Sequence, residues 1–264
     1  MLIAQLSDPH VKAEGELLYG RIDTQGFLER AVAHVNDLDP RPDIALVTGD
    51  LVDKGTPAEY ANLKRLLSVL EIPFYLIPGN HDARDALRDA FRDHAHLPKA
   101  GFLQYVVEDR PLRLIALDTL VEGKGHGALC RERLDWLEVR LGESSRATLI
   151  FMHHPPFDVG IAPLDAARLL EGGDRLEALV RAHGNVERVL CGHVHRPIQV
   201  RWAGTMASIA PSTAHQATLD LREGAGLSMT MDPPGVSLHL WRPATGLVTH
   251  VSYVGSYEGP RPFR

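Results

Sequence analysis

The sequence predicts an α/β fold of two mixed β-sheets packed face to face as a sandwich and flanked by helices. Three observations lead there. Up to Ile77, short apolar runs alternate with helical patterns long enough to cross between parallel strands. Residues 102–117 then read as a hairpin, followed by a second alternation of helix and strand. From Ile198 onward the apolar pattern is strand-like with little helix. The 264 residues suffice for one domain with a sizeable core, and no internal repeat or long linker interrupts them.

Leu2–Leu6 is a short apolar run of the buried-strand kind. Over 23–38, Leu28, Ala31, Val32, Val35 and Leu38 recur at helical spacing. Residues 43–48, carrying Ile44-Ala45-Leu46-Val47, form a second strand. Thr56-Pro57-Ala58-Glu59 opens a helix as a capping box, with Pro at the first helical position. Leu63, Leu66, Leu67 and Leu70 then give its buried stripe, and Phe74–Ile77 is the third strand. In the hairpin, 102–107 and 112–117 flank the polar turn Glu108-Asp109-Arg110-Pro111. A helix over 131–141, a strand over 147–152, a helix around 175–182 and a strand over 188–191 follow, then strands Ile198–Trp202, Thr205–Ile209, 236–241 and 247–253. Residues 212–235 break the pattern. They are polar and weakly periodic, and Leu219, Leu221, Leu227, Met229 and Met231 have no long helix to bury them. This segment is expected to be a surface excursion or a small cap on a single domain spanning 1–264, and its apolar residues predict a homodimer or a multiple of dimers.

Composition narrows the function classes. Hydrophobic residues at 44% and charged residues at 23% describe an ordinary globular chain. A net charge of −6, with no basic cluster, argues against a nucleic-acid polymer as partner. No stretch reaches the ~18 apolar residues of a membrane span, and Met1–Leu6 lacks a basic n-region. Cys130 and Cys191 cannot build a disulfide framework. Together these predict a cytoplasmic protein with no membrane partner. The unusual entry is 14 His, the commonest metal-ligand type.

Five motifs fall at predicted strand ends: Asp8-Pro9-His10, Gly49-Asp50, Gly79-Asn80-His81-Asp82, His153-His154 and Gly192-His193-Val194-His195. Ligands of open α/β sheets gather at the carboxyl ends of strands. Each motif alone has an ordinary explanation. Asp-x-His and Gly-Asp make turns, Asp82 could cap a helix, and His153-His154 could be a strand exit. That explanation would have to hold five times independently. Imidazole and carboxylate suit Zn, Mn, Fe and Co, and no Cys cluster points to a structural zinc. A carboxylate can bridge two ions, and two divalent ions against two carboxylates and a hydroxide leave about one positive charge, matching a singly charged diester.

At these residues the sequence resembles the calcineurin-like metallophosphoesterase superfamily, whose D-x-H, G-D, G-N-H-[DE], H and G-H-x-H pattern is present in order over residues 1 to about 215. Leu18-Tyr19-Gly20-Arg21-Ile22-Asp23, Gly55-Thr56-Pro57-Ala58-Glu59-Tyr60, Tyr75-Leu76-Ile77-Pro78 and Phe151-Met152-His153-His154-Pro155-Pro156 bring it nearest to the branch of class III cyclic nucleotide phosphodiesterases and glycerophosphodiesterases. The resemblance implies two divalent transition metals per chain. One would be held by Asp8, His10, Asp50 and His195, the other by Asp50, Asn80, His153 and His193, with Asp50 bridging and His154 behind the ligands. It implies that His81 lies beside the phosphate as a catalytic group, and that Tyr19, Asn80 and His215 contact a small phosphodiester substrate. Two rivals remain. Gly49-Asp50-Leu51-Val52-Asp53-Lys54-Gly55 is similar to a protein-phosphatase motif, although Lys54 lacks the bidentate fork of an Arg. A non-catalytic scaffold on the same fold is the other, and such proteins have typically lost ligands.

Overall fold

The computed structural model describes residues 1–263. In chain order its elements are β1 (Leu2–Leu6), α1 (Thr24–Asn36), β2 (Ile44–Thr48), α2 (Pro57–Leu67), β3 (Phe74–Ile77), α3 (Arg84–Ala90), β4 (Tyr105–Val107), β5 (Arg113–Ala116), β6 (Gly127–Ala128), α4 (Arg131–Gly142) and β7 (Thr148–Phe151). Then come α5 (Ala162–Asp165), β8 (Leu169–Glu171), α6 (Gly173–Ala182), β9 (Val186–Cys191), β10 (Ile198–Trp202), β11 (Thr205–Ile209), β12 (Gln216–Ala217), β13 (Met229–Thr230), β14 (Gly235–Arg242) and β15 (Gly246–Tyr253).

One sheet has the order β15-β14-β1-β2-β3, the other β10-β11-β9-β7-β5-β4. Both are mixed. β1, β2 and β3 run parallel while β14 returns antiparallel, pairing Leu240 with Leu2. β5, β7, β9 and β11 run parallel, with β4 and β10 antiparallel at the edges. The period-two geometry of strands explains the layering. Leu114, Ala116, Leu149, Phe151 and Leu190 enter a core shared with the first sheet and with Leu28, Val32, Leu63 and Leu67 of α1 and α2. Their neighbours Ile115, Ile150, Val189 and Cys191 point the other way, into a second core against Leu134 and Leu137 of α4 and Leu176 and Val180 of α6. Strands buried on both faces carry unbroken apolar runs, as in β2, β5 and β7. The result is helix, sheet, sheet, helix, as expected.

Several boundaries differ from the sequence reading. The helix expected over 23–38 begins after Asp23, whose carboxylate caps it by accepting the Gly26 N–H at 2.9 Å, and ends at Asn36. The strand expected over 102–107 starts at Tyr105, because the Asp118 carboxylate takes the Leu103 N–H at 2.8 Å. The capping box of α2 is present in full. Residues 212–217 are not a surface excursion. Ser212, Thr213, Ala214, His215 and Gln216 are buried, with Ser212 Oγ donating to the Asp8 carbonyl at 2.9 Å and Thr213 N to the Ser7 carbonyl at 3.1 Å. The exposed part follows, with Leu219, Leu221 and Met231 outward around the small β12–β13 ribbon.

Candidate metal centre

The loops leaving β1, β2, β3, β7 and β9 converge at one edge of the sandwich and bring the five motifs together. Asp8, His10, Asp50, His153, His154, His193 and His195 are buried, and Asn80 and His81 half-buried. Of the seven non-glycine residues with positive φ among the described residues, five are candidate ligands: Asp8, His10, Asp50, His193 and His195. Such left-handed backbone costs roughly 1–3 kcal/mol per residue and marks functional sites. The sharp turns aim short side chains back over the strand ends. They also need a bare neighbour: a Cβ on Gly79 would stand 2.3 Å from both the backbone N and Oδ1 of Asp50.

Two donor clusters share Asp50. In the first, Asp8, His10, Asp50 and His195 each offer an atom within 4.8 Å of the others. His10 Nε2 lies 3.1 Å from His195 Nε2 and 3.6 Å from Asp50 Oδ2, and His195 Nε2 lies 3.4 Å from Asp8 Oδ1. In the second, His153 Nε2 lies 3.2 Å from Asn80 Oδ1 and 3.3 Å from Asp50 Oδ1, while His193 Nε2 is buried without a partner. The tautomers are set from behind. His153 Nδ1 faces the Thr48 carbonyl at 2.8 Å and His195 Nδ1 the His215 carbonyl at 3.0 Å. Carbonyls only accept, so each Nδ1 donates and each neutral ring presents its Nε2 lone pair. Such a lone pair can face a carboxylate or amide oxygen only with a proton or a cation between them. The donor set therefore fits divalent cations, and it holds no thiolate.

Charge follows the same logic. Burial raises the Asp8 and Asp50 carboxyls, yet the surrounding imidazoles overcome it, holding Asp8 at about 2 and Asp50 well below the usual range. Burial lowers His153, but Asp50 outweighs it and lifts the ring to about 9. His193, desolvated and facing His153, drops to about 4. His154 is held well below its ordinary value by burial and then by His193 and His153. Its Nδ1 meets Thr119 Oγ1 at 2.8 Å, and it also groups with His153 and His193 as a possible donor.

A cavity of about 560 Å³ opens over Asp50, Asn80, His81 and His193. His81 Nδ1 donates to the Asp53 carbonyl at 2.8 Å, which leaves Nε2 for the cavity. Burial lowers this ring's pKa, and Asp50 and the Asp53 carbonyl raise it further than that. Tyr19 stands at the mouth, 63% exposed, on a left-handed turn closed by the Leu18–Ile22 bridge. Its ring meets His215 edge-on at 6.2 Å. His215 is buried and groups with His10 and His195, so it is no surface histidine.

Leu164 and Ala167 line the cavity and carry no signal in the sequence. Arg21, Leu227 and Met229, named above for other reasons, line it too, and Asp53 of the Gly49–Gly55 motif supports it through its carbonyl, which accepts from His81 Nδ1. Asp82 was weighed as a helix cap, but α3 is capped at Ala83. The Asp82 carboxyl instead accepts Leu51 N, Gly79 N and Tyr60 Oη at 3.1, 2.8 and 2.8 Å, tying the loops after β2 and β3 to α2.

A buried carboxylate shared by two imidazole clusters, at the carboxyl ends of parallel strands, is the donor set of a dinuclear metallohydrolase. The chain belongs to the calcineurin-like phosphoesterase family, whose profile matches residues 1–197. It is 41% identical to the probable glycerophosphodiester phosphodiesterase GpdQ of Arcobacter nitrofigilis, over 100% of this chain and 97% of that one. It is 30% identical to the 3',5'-cyclic adenosine monophosphate phosphodiesterase CpdA of Escherichia coli, over 81% and 76%. A dimetal phosphatase from Danio rerio shares the fold with a TM-score of 0.63 at 13% identity, covering 97% of this chain and 99% of that one. The family and the buried His/Asp clusters imply a binuclear metal site. Among the described residues no helix is long and apolar enough to cross a membrane.

Proposed function

We propose that the chain hydrolyses small phosphate diesters, glycerophosphodiesters first and 3',5'-cyclic nucleotides second, in the cytoplasm. Its coarser class is a metal-dependent phosphoric diester hydrolase, given by the family and by relatives of both kinds. Asp8, His10, Asp50 and His195 would hold one divalent transition metal (Fe, Mn, Zn or Co) and Asp50, Asn80, His153 and His193 the other. Such ions supply positive charge for the phosphate and a nucleophile at neutral pH.

The protein groups divide the remaining tasks. Asp50 sets the spacing of the two clusters, with Oδ1 toward His153 and Oδ2 toward His10. It is itself fixed by the His81 N–H, 2.9 Å from Oδ1. His81, anchored through Nδ1, presents Nε2 to the phosphoryl oxygens or the departing alcohol. Tyr19 and His215 stand where a polar alcohol group would lie.

The observation that supports diesters is how the cations are spent. Among the residues lining the cavity Arg21 is the single Lys or Arg. Lys12 is paired with Asp53 and Glu59, Arg84 with Asp118, and Arg196 with the Ala217 carbonyl and Asp232. A monoester, with close to two negative charges, lacks the extra clamp it needs. The test compares kcat/KM for bis(p-nitrophenyl) phosphate and p-nitrophenyl phosphate on one metal-loaded sample, then glycerophosphoethanolamine and cyclic AMP. The diester is expected to win; a monoester preference of about tenfold or more, roughly 1.4 kcal/mol, would move the chain to another branch of the family.

A further inference from the structure

A polar thread crosses the sandwich beneath the metal centre. Gln5, on β1 and 1% exposed, donates from Nε2 to Thr48 Oγ1 at 3.0 Å and to the Cys191 carbonyl at 2.9 Å. Its Oε1 faces His239 Nε2 at 3.0 Å. The Cys191 carbonyl can only accept, which fixes the amide with its NH₂ toward β9 and its oxygen toward β14. His239 must then carry its proton on Nε2, so Nδ1 accepts from Thr249 Oγ1 at 2.8 Å. Thr249 Oγ1 in turn accepts from the Arg188 guanidinium, which cannot do otherwise. In the other direction, Thr48 Oγ1 is filled by Gln5 and turns its own proton to Ser7 Oγ at 2.8 Å. Ser7 Oγ donates to Asp8 Oδ2 at 2.5 Å. Every donor along the thread points the same way, from the cation on β9 to the Asp8 carboxylate.

We propose that this thread positions Asp8 as a one-oxygen metal ligand and sets its donor strength, which makes Ser7, Thr48, Gln5 and His239 positioning residues for the metal centre. Asp8 Oδ2 is occupied by Ser7 Oγ, whereas Oδ1 looks toward His195 Nε2 at 3.4 Å. The His193 N–H spans both oxygens, at 3.0 and 3.1 Å, and so favours neither. The hydroxyl is thus the group that distinguishes the two oxygens. Hydrogen bonds that all point one way polarise each other, and partners of ligating carboxylates fix orientation and tune affinity. Thr48 joins the thread to the second cluster as well, since its carbonyl holds His153 Nδ1. Gln5, Ser7, Thr48 and His239 are at most 1% exposed, a burial that polar side chains sustain only with their bonds made.

The proposal rests on the metal reading of Asp8, and the test separates the two. Mn²⁺ is titrated by calorimetry into the metal-free full chain and into Ser7→Ala, Thr48→Val, Gln5→Met, Thr249→Val and Thr249→Ser. The thermal midpoint of each metal-free variant is measured alongside. Ser7→Ala is expected to weaken Mn²⁺ binding by roughly 10–100-fold. The loss should shrink with distance from Asp8, to roughly twofold for Thr249→Val at the half-exposed edge of β15, and Thr249→Ser, which keeps the hydroxyl, should match the parent. Affinities that are equal across the series, or that follow the thermal midpoints and not the order along the thread, overturn the proposal. A parent chain that binds no Mn²⁺ overturns the metal reading and this inference with it.

Discussion

Asp50 faces two imidazoles at once, and its removal separates metal binding from folding. With the carboxylate gone, His153 and His10 lose their shared partner, at 3.3 and 3.6 Å. Asp50→Ala is expected to lose at least one metal per chain and nearly all turnover, with the circular dichroism spectrum unchanged; two metals and normal rates would remove its bridging role. His81 is the contrasting case, because its anchored nitrogen meets a backbone carbonyl and its other nitrogen meets the cavity. His81→Ala should keep both metals, by elemental analysis, and lose roughly 10²–10⁴ in rate. Loss of metal in this variant would show that the ring is a ligand. The residues behind these two predictions were legible in the sequence because His, Asp and Asn recur at successive strand ends. Ser7 and Gln5 were not, because common residue types inside or beside a strand acquire a role only through partners far away in the chain, as Gln5 does through Cys191 and His239.

At the scale of elements, legibility followed length and period. α2 announced itself by Thr56, Pro57 and Glu59, and the capping box is there, with Glu59 Oε1 reaching on to Lys12 at 2.8 Å. The parallel strands were readable as apolar runs because both their faces are buried. α5, β6, β8, β12 and β13 run to four residues or fewer, too short to show a period. Their positions come from tertiary contacts. The ribbon of β12 and β13 illustrates this: Ala217 and Met229 reach the cavity wall while Leu219, Leu221 and Met231 face outward. That outward surface lies in the 212–235 segment, from which we expect a dimer, or a multiple of dimers, to be partly built. Light scattering at micromolar concentration is the check, together with Leu221→Asp and Met231→Asp, which should shift the protein toward monomer. A monomeric parent would remove the expectation.

For the whole molecule, the fold holds a histidine in its interior without charge. Burial, with Arg188 nearby, pulls His239 down to about 3, whereas an unfolded histidine titrates near 6.5. Between those values the unfolded chain binds the extra proton. The contribution of His239 to stability is therefore full above about pH 6.5 and is lost as pH drops toward 3, at up to about 1.4 kcal/mol per pH unit. Urea unfolding of the metal-free protein at pH 7 and pH 5 should show this slope, and His239→Gln should flatten it. Equal slopes would mean that other groups account for the whole effect. Strand β14, which carries His239, also has a bearing on biosynthesis. β1 supplies Asp8 through the loop that follows it, yet one of its two neighbours in the sheet is β14, and Trp241 bonds back to Met1 across 240 positions. During translation β1 waits, open along one edge, until β14 has left the ribosome. Pairing over such a separation is slow, and an unpaired edge in the interim invites association with other chains. A nascent chain stopped before Gly235 would hold all the motif residues and still lack the strand that closes the sheet beside them.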